Sequence, residues 1–343
     1  MNTRAFITGV SGTELNAAER EFIRAQRPWG FILFKRNIET PAQVIQLVNE
    51  IRKEAGRPDA PILIDQEGGR VQRFGPPHWP AYPAGSVFGR LYDLDPDLGL
   101  TAARLSARLM AADLADLGVS VDCLPLADVP VAGADAVIGN RAYGTEPGKV
   151  AAIARAVTEG LEQGGVLPVL KHIPGHGRAT ADTHFRLPVV ETSKAELERT
   201  DFAAFQPLAD LPMAMTAHVV FSALDPAHPA TTSATIIHQV IRGVIGFQGL
   251  LMSDDVSMNA LAGSIAERTR AILAAGCDMV LHCNGKLDEM REVARETPEL
   301  SGQALQRAER ALASRKAPQA LDRTRARAEL DALINRAETA AGA

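Results

Sequence analysis

Residues Leu170–Leu187 read LKHIPGHGRATADTHFRL and follow directly on the apolar run Val166–Leu170. A short apolar run is typical of a buried strand, and the polar side chains after it would then lie at the carboxyl end of that strand. Packing alone does not account for three histidines, a lysine and an aspartate in eighteen residues, because burial of unpaired polar groups costs free energy. The stretch therefore predicts a functional site on a loop that follows a strand.

Short apolar runs of this kind recur along the chain and alternate with amphipathic segments rich in Ala, Leu, Glu and Arg. Such alternation favours a parallel sheet with crossover helices. Eight candidate strands fit a (β/α)8 TIM-type barrel, which typically needs about 250 residues. The candidate strands are Ala5–Gly9, Gly30–Phe34, Pro61–Asp65, Ser120–Leu124, Leu167–His172, Met213–His218, Leu250–Asp254 and Met279–His282.

The remaining length is predicted to lie in loops and helices, without a linker or a change of composition that would mark a second domain. We therefore expect one α/β domain over residues 1–343, with a C-terminal helical extension at about 300–343. The alternative is an open doubly wound sheet, although no GxGxxG follows the first strand. Predicted helices are Pro41–Glu54, Gly99–Leu117, Lys149–Gln163, Ser193–Phe205, Ser264–Ala275, and a pair near Gly302–Ser314 and Ala320–Ala341.

Composition excludes several classes of protein. The net charge of −5 gives no electrostatic support for binding nucleic acid. Three cysteines without CxxC spacing do not indicate a disulfide framework or a cysteine zinc site. The sequence begins without a signal-peptide pattern, and no apolar run reaches the roughly 18–20 residues that span a bilayer. We expect a cytoplasmic monomer that acts on a small molecule, without a membrane partner or a cofactor.

Polar clusters follow four of the predicted strands. They are Asp65–Arg70, Lys171–His172, Thr216–His218 and Ser253–Asp255. In a barrel the carboxyl ends of all strands meet on one face, which carries the active site. The clusters are therefore expected to lie close together, on the rim where catalysis takes place.

The apolar strand LLMSDD ends in two carboxylates, Asp254 and Asp255. One of them is expected to cap a helix starting near Val256. Asp254 is nearer the strand and is the better candidate to point into the barrel mouth. There it would be a nucleophile, a general base or a metal ligand.

Asp182 and His184 lie two residues apart, so in an extended segment their side chains project to the same side. A carboxylate partner stabilises the imidazolium and raises the histidine pKa. His184 is therefore a candidate general acid. The alternative is an ordinary Asp–His pair on a solvated loop.

Lys171, His172 and His176 allow two interpretations. With Asp182 and His184, the two histidines supply a possible metal site, although the proline and glycines around them disfavour a regular helix. Donors to a polyhydroxylated substrate are the favoured interpretation. His176 lies between two glycines and is also expected to hold the loop through backbone hydrogen bonds.

Arginines and a glutamate near the glycine turns are further candidates. Arg70 and Arg73 follow Gly68–Gly69, and Arg141 lies in VIGNRAYG. Arginines on a catalytic rim bind substrate about as often as they are merely solvated. For Glu67 we favour an ion pair within its own turn over a second catalytic carboxylate.

Together these segments resemble the family 3 glycoside hydrolases, and among them the bacterial cytosolic exo-β-N-acetylglucosaminidases of peptidoglycan recycling. The resemblance extends in order from Ile64 to Met258, and its most specific part is KH-x-PGHG followed by D-[ST]-H. The matching segments are IDQEGGRVQRF, VIGNRAYG, KHIPGHGRATADTH, MTAHVVFSALD and LMSDDVSM.

The resemblance implies a role for each matching residue. Asp254 would be the nucleophile that forms a covalent glycosyl-enzyme, His184 the acid/base, and Asp182 its partner. Arg178 stands at a variable position and would affect what lies beyond the first sugar. The residues implied to bind the terminal N-acetylglucosamine are Asp65, Arg73, Arg141, Lys171 and His172.

Three other functions stay open. A neutral His184 base would not repel phosphate, so a phosphorylase of the same family is the close alternative to the hydrolase. A sugar-binding barrel without activity would need to have lost Asp254 or His184, and both are present. A metal-dependent hydrolase is the third possibility.

Overall fold

The computed structural model describes residues 3–179 and 187–341, and the side chains up to residue 336. Asp182 and His184, the predicted proton-transfer pair, lie outside the described residues. The candidate nucleophile and all five candidate sugar-binding residues lie within them.

The described residues form a barrel of eight parallel strands. The sheet begins with Leu167–Pro168 and ends with Leu170–Ile173. These segments are separated only by Val169, so the ring closes within one strand, and the prediction of a TIM-type barrel is confirmed. The strands are β1 (Arg4–Gly9), β2 (Pro28–Leu33), β3 (Ile62–Ile64), β4 (Val121–Asp122), β5 (Leu167–Pro168 and Leu170–Ile173), β6 (Met213–Thr216), β7 (Leu250–Asp255) and β8 (Met279–His282).

Helices cover the outside of the barrel. Their ends are marked by local signals, as in Ile265–Ala275, which begins with a capping box between Ser264 and Glu267 and ends at Gly276 with φ 111°. The helices are Ala17–Gln26, Pro41–Ala55, Gly85–Leu94, Pro96–Asp116, Pro147–Gln163, Lys194–Arg199, Asp201–Phe205, Ile265–Ala275, Leu287–Glu296, Gly302–Ala313 and Arg323–Ala341, with a π-helical segment at Ile236–Val244.

One predicted helix is divided. The segment Ser193–Phe205 forms two short helices that meet at Thr200, which has φ −116° and ψ −79°. The Thr200 hydroxyl donates to the Glu196 carbonyl at 2.8 Å, a local bond that competes with regular helix geometry. The hydrophobic spacing could not reveal this break, because it continues through both halves.

The strands bury side chains on both faces. Inward residues such as Ile7, Leu63 and Met252 fill the barrel, whereas outward residues such as Phe6 and Phe31 pack against the helices. Among the described residues, the filled barrel opens at the carboxyl ends of the strands, where the polar clusters lie. No helix in the described ranges is both long and apolar enough to span a bilayer.

Candidate active site

A cavity of about 310 Å³ opens at the carboxyl ends of the strands. It brings together residues from β3, β5 and β7 that are far apart in sequence, as expected for the rim of a barrel. Apolar side chains, among them Ile32, Phe34 and Met215, contribute to its wall. The polar residues that line it are Asp65, Glu67, Arg70, Arg73, Arg141, Lys171, His172, His176, Asp254 and Asp255.

Lys171 is the centre of a buried network of ion pairs. Its side chain is 2% exposed, and Nζ lies 2.9 Å from Asp65 Oδ1 and 2.7 Å from Glu67 Oε1. Arg73 Nη2 lies 3.0 Å from Asp65 Oδ2. Arg141 donates to both Glu67 oxygens at 2.8 Å. Because every charge in the network is paired, these groups can be buried together.

The ion pairs determine which groups are charged. Burial alone would raise the pKa of Asp65, but Lys171 and Arg73 hold that pKa well below its ordinary value. Burial opposes the charge on Glu67 as well, yet Lys171 and Arg141 lower its pKa. Burial would lower the pKa of Lys171, and the two carboxylates raise it well above its ordinary value. The network therefore presents fixed charged donors and acceptors, which suits recognition of hydroxyl groups.

Asp128 ties the two histidines together. Its Oδ2 lies 2.7 Å from His172 Nδ1, and its Oδ1 accepts the backbone N–H of His176 at 2.7 Å. Burial would raise the pKa of Asp128, but the charge and hydrogen bond of His172 lower it to about 2. The predicted backbone hydrogen bond of His176 is thus confirmed, and its acceptor is a carboxylate from the segment after β4.

The ring of His176 lines the cavity. Its Nδ1 is buried without a hydrogen-bond partner among the described residues. Burial, and then the charge of His172, lower the pKa of His176 to about 4. His176 is therefore a neutral imidazole at neutral pH, in contact with the substrate space.

Asp254 and Asp255 have different surroundings. Asp255 Oδ1 accepts the N–H groups of Ser257 at 3.0 Å and Cys283 at 3.1 Å. Asp255 thus stabilises a turn at residues 256–257, and the helix expected near Val256 is wrong, because the next helix begins at Ile265. Asp255 thus binds backbone groups as expected for one of the two carboxylates, although both Asp254 and Asp255 line the cavity.

Asp254 lines the cavity, and its Oδ1 accepts the N–H of Asp255 at 2.7 Å. Burial would raise its pKa, but His218 and His172, the Asp255 hydrogen bond and His176 together lower it. The carboxyl group is therefore ionised at neutral pH, as a carboxylate nucleophile must be.

One expectation about Glu67 is wrong. Glu67 does not pair within its own turn, because its partners are Arg141 and Lys171, which reach it from later segments of the chain. Ion-pair partners that are distant in sequence leave no local pattern. Arg178 donates from Nε to Asp201 at 2.6 Å, and its side chain is 12% exposed. Its expected effect beyond the first sugar stays a prediction.

Asp128 was not predicted from the sequence, and Glu67 was expected to have only a local role. Asp128 lies in LPLADVP, a largely apolar segment, and a lone carboxylate there was a signal that it has a buried partner. A third buried carboxyl, Asp122, accepts the Gln66 N–H at 3.0 Å. Burial raises the pKa of Asp122 well above its ordinary value, which favours the neutral form of its carboxyl group.

Residues 3–179 and 187–341 contain no group of three histidine, cysteine or acidic side chains arranged to hold a metal ion. The metal site considered from the sequence needed Asp182 and His184, which lie outside these ranges.

Comparison with known proteins identifies the family. Residues 6–314 match the glycosyl hydrolase family 3 N-terminal domain. The β-hexosaminidases of Alkalilimnicola ehrlichii and Bordetella avium are 40% and 39% identical to this chain over 280 and 279 residues, which is 80% of this chain and 79% of each relative. The structure of NagZ from Neisseria gonorrhoeae in complex with N-trifluoroacetyl-D-glucosamine is similar, with a TM-score of 0.88 and 32% identity over 97% of this chain and 99% of that one. The chain therefore belongs to glycosyl hydrolase family 3, and within it is a glycosidase of the β-N-acetylhexosaminidase type.

Proposed function

We propose that this enzyme is an exo-acting, retaining β-N-acetylglucosaminidase that removes terminal non-reducing N-acetylglucosamine through a covalent glycosyl-Asp254 intermediate. The observation that carries the proposal is the ionised Asp254 in the same cavity as the Lys171 network. One carboxylate oxygen is held by the Asp255 N–H. The other accepts no hydrogen bond from the described residues, so it is available for attack.

The network supplies the sugar-binding groups in this proposal. Asp65, Arg73, Arg141, Lys171 and His172 would hydrogen-bond the hydroxyl and acetamido groups of one N-acetylglucosamine residue. Their own ion pairs hold these side chains in place before the substrate arrives, which lowers the entropic cost of binding.

In the proposed mechanism, Asp254 attacks the anomeric carbon while His184 gives its proton to the leaving oxygen, and Asp182 stabilises the imidazolium. Neutral His184 then removes a proton from water, and that water displaces Asp254. Two inversions retain the configuration. Retaining enzymes normally use two carboxyl groups about 5–5.5 Å apart, and here a histidine would replace one of them.

The proposed substrates are peptidoglycan fragments, N-acetylglucosaminyl-1,6-anhydro-N-acetylmuramic acid with or without its peptide. This part rests on the likeness to the Neisseria NagZ structure, which binds a glucosamine derivative. We further propose a cytoplasmic monomer whose residues 1–343 form a single catalytic domain, with no nucleic-acid partner and no cofactor.

Replacement of Asp254 by Ala tests the nucleophile. Turnover of 4-nitrophenyl N-acetyl-β-glucosaminide should fall by at least about 10³-fold, because removing a nucleophile removes the covalent route. Binding of free N-acetylglucosamine, measured by calorimetry, should persist and serves as the folding control. Substantial residual turnover would contradict the assignment, as would NMR detection of the α-anomer as the first product.

The same assay separates the alternatives. Formation of N-acetylglucosamine 1-phosphate in phosphate buffer would identify a phosphorylase, and loss of activity in EDTA would indicate a metal-dependent hydrolase. Absence of turnover under all conditions, with binding intact, would indicate a sugar-binding barrel. His184→Ala should impair substrates with poor leaving groups far more than nitrophenyl glycosides, because only poor leaving groups need the proton.

A further inference from the structure

His218 follows β6 and is fully buried, yet it does not line the cavity. Its Nδ1 lies 2.8 Å from the Thr231 hydroxyl, and its Nε2 lies 2.9 Å from the main-chain carbonyl oxygen of Asp255. A carbonyl oxygen can only accept a hydrogen bond, so Nε2 carries a hydrogen and donates it to Asp255. The imidazole thus connects β6 to the end of β7.

The hydrogen bonds of His218 link β6 to β7 beyond the point where the pairing of these two strands ends. The parallel pairing of β6 with β7 ends at Met215 and Met252. Beyond Met252, β7 pairs with β8, where the register is irregular up to Asp255. On the β6 side, the His218 ring therefore holds the last residue of β7 through a hydrogen bond.

Asp254 and Asp255 are the last two residues of β7, and the Asp254 carboxylate lines the cavity. The N–H of Asp255 donates to Asp254 Oδ1 at 2.7 Å, and the carbonyl of Asp255 accepts from His218. A shift of Asp255 would therefore move the hydrogen bond that orients Asp254. Misplacement of a reacting group by about 1 Å is enough to cost about 10²-fold in rate.

We propose that His218 is a positioning residue for the nucleophile, acting through the main chain of Asp255, with the Thr231 hydroxyl setting the orientation of its ring. The inference rests on the proposed role of Asp254. It assigns His218 no contact with the substrate, so loss of its Nε2–H should slow glycosylation of the enzyme without weakening the binding of the sugar.

A matched pair of substitutions tests this inference. In His218→Gln the side-chain amide nitrogen reaches the position of Nε2 and can still donate to Asp255. In His218→Asn the amide reaches only the position of Nδ1, so the donor to Asp255 is lost. The measurements are kcat/KM for 2,4-dinitrophenyl N-acetyl-β-glucosaminide and the Kd for N-acetylglucosamine. The dinitrophenolate leaves without an acid, and kcat/KM reports the glycosylation step.

His218→Asn should lower kcat/KM by roughly 10- to 100-fold, the effect expected when the nucleophile is displaced by about 1 Å, with Kd unchanged. His218→Gln should recover most of that loss. Equal losses in both variants, or a wild-type kcat/KM in His218→Asn, would overturn the inference.

If neither variant folds, Thr231→Val and Thr231→Ser provide the test. Only Thr231→Val should lower kcat/KM, and equal values of kcat/KM in the two variants would overturn the inference.

Asp254→Ala, measured beside these variants, separates the two proposals. An active Asp254→Ala enzyme would overturn the proposed mechanism itself. An inactive Asp254→Ala enzyme together with a fully active His218→Asn enzyme would overturn only the positioning role.

Discussion

Glu67 is the acidic residue that joins two binding elements of the site. Its side chain is 4% exposed and is shared by Arg141 and Lys171, which come from different parts of the barrel rim. Removal of one partner from a buried ion pair is costly because the other charges stay buried. Glu67 therefore contributes both to stability and to the orientation of the sugar-binding side chains, although its own role does not require contact with substrate.

Replacement of Glu67 by Gln should lower the free energy of unfolding by about 3–5 kcal/mol and raise KM for the nitrophenyl substrate, because Arg141 and Lys171 lose their shared anion. Urea unfolding and steady-state kinetics provide the measurements. Glu159→Gln is the matched control, since Glu159 pairs with Arg104 at 43% and 37% exposure and should contribute about 0–1 kcal/mol. Equal effects of the two substitutions would contradict the assigned role of Glu67.

The difference in stability between the wild-type enzyme and Glu67→Gln should become smaller at acidic pH. Burial opposes ionisation, but Lys171 and Arg141 hold the pKa of Glu67 below its ordinary 4.5. The stabilisation is therefore complete above about pH 4.5 and is lost as the pH falls through the lower pKa of the folded state. The stability gap between wild type and Glu67→Gln should narrow below pH 4.5, and a gap that widens there would contradict the pairing.

At the scale of elements, the segment after β5 is held against the segment after β4. Asp128 accepts the His176 N–H, and Gly177 lies against the main chain of Val129. A Cβ on Gly177 would stand 2.2 Å from the carbonyl carbon and oxygen of Val129, closer than any real contact. The glycine therefore allows the close approach that directs the His176 ring into the cavity.

Gly177→Ala should push these two segments apart. We expect a loss of about 1–3 kcal/mol in stability, the usual cost of overpacking, and a higher KM. Gly148→Ala is the control, because no atom lies within 4 Å of its added Cβ and alanine favours the helix Pro147–Gln163. Thermal unfolding and kinetics of both variants test the prediction, and an unchanged melting temperature for Gly177→Ala would contradict it.

At the scale of the molecule, the amino end of the barrel contributes to stability and lies away from the cavity. The helix Gly302–Ala313 closes the amino end, where Ala308 and Ala311 pack into the cluster that fills the barrel. Arg307 on this helix donates to Asp278 at 2.9 Å, just before β8. The cavity with Asp254 lies at the other end, so damage to this helix should not reach the substrate.

Arg307→Met should lower the free energy of unfolding by about 1–3 kcal/mol, because Asp278 loses one of its two arginine partners and keeps Arg242 at 2.9 Å. KM and kcat at 25 °C should stay unchanged. Arg310→Met, on the exposed face of the same helix, should change stability by no more than about 0.5 kcal/mol. Denaturant unfolding and kinetics measure both effects. A changed KM of the Arg307→Met enzyme, measured under conditions in which it is fully folded, would show that the two ends of the barrel are not independent.

The barrel and most residues that line the cavity could be predicted from the sequence. The ion-pair partners of those residues could not. Runs of apolar residues identified all eight strands, because a strand buried on both faces is uniformly apolar. Asp65, Lys171 and Asp254 were found because each one ends such a run. Asp128 was missed, and the expected partner of Glu67 was wrong, because their ion pairs join residues that are distant in sequence.

By itself the sequence determined the element order, the barrel and the polar residues at the strand ends, since periodicity and strand-end chemistry are local properties. The roles of Asp182 and His184 remain predictions. Only the tertiary structure decided which charges neutralise one another: Lys171 lies between Asp65 and Glu67, and His218 lies beneath the residue that orients Asp254. Closure of the ring brings these groups within hydrogen-bond distance, and their pKa values follow from that proximity and from burial.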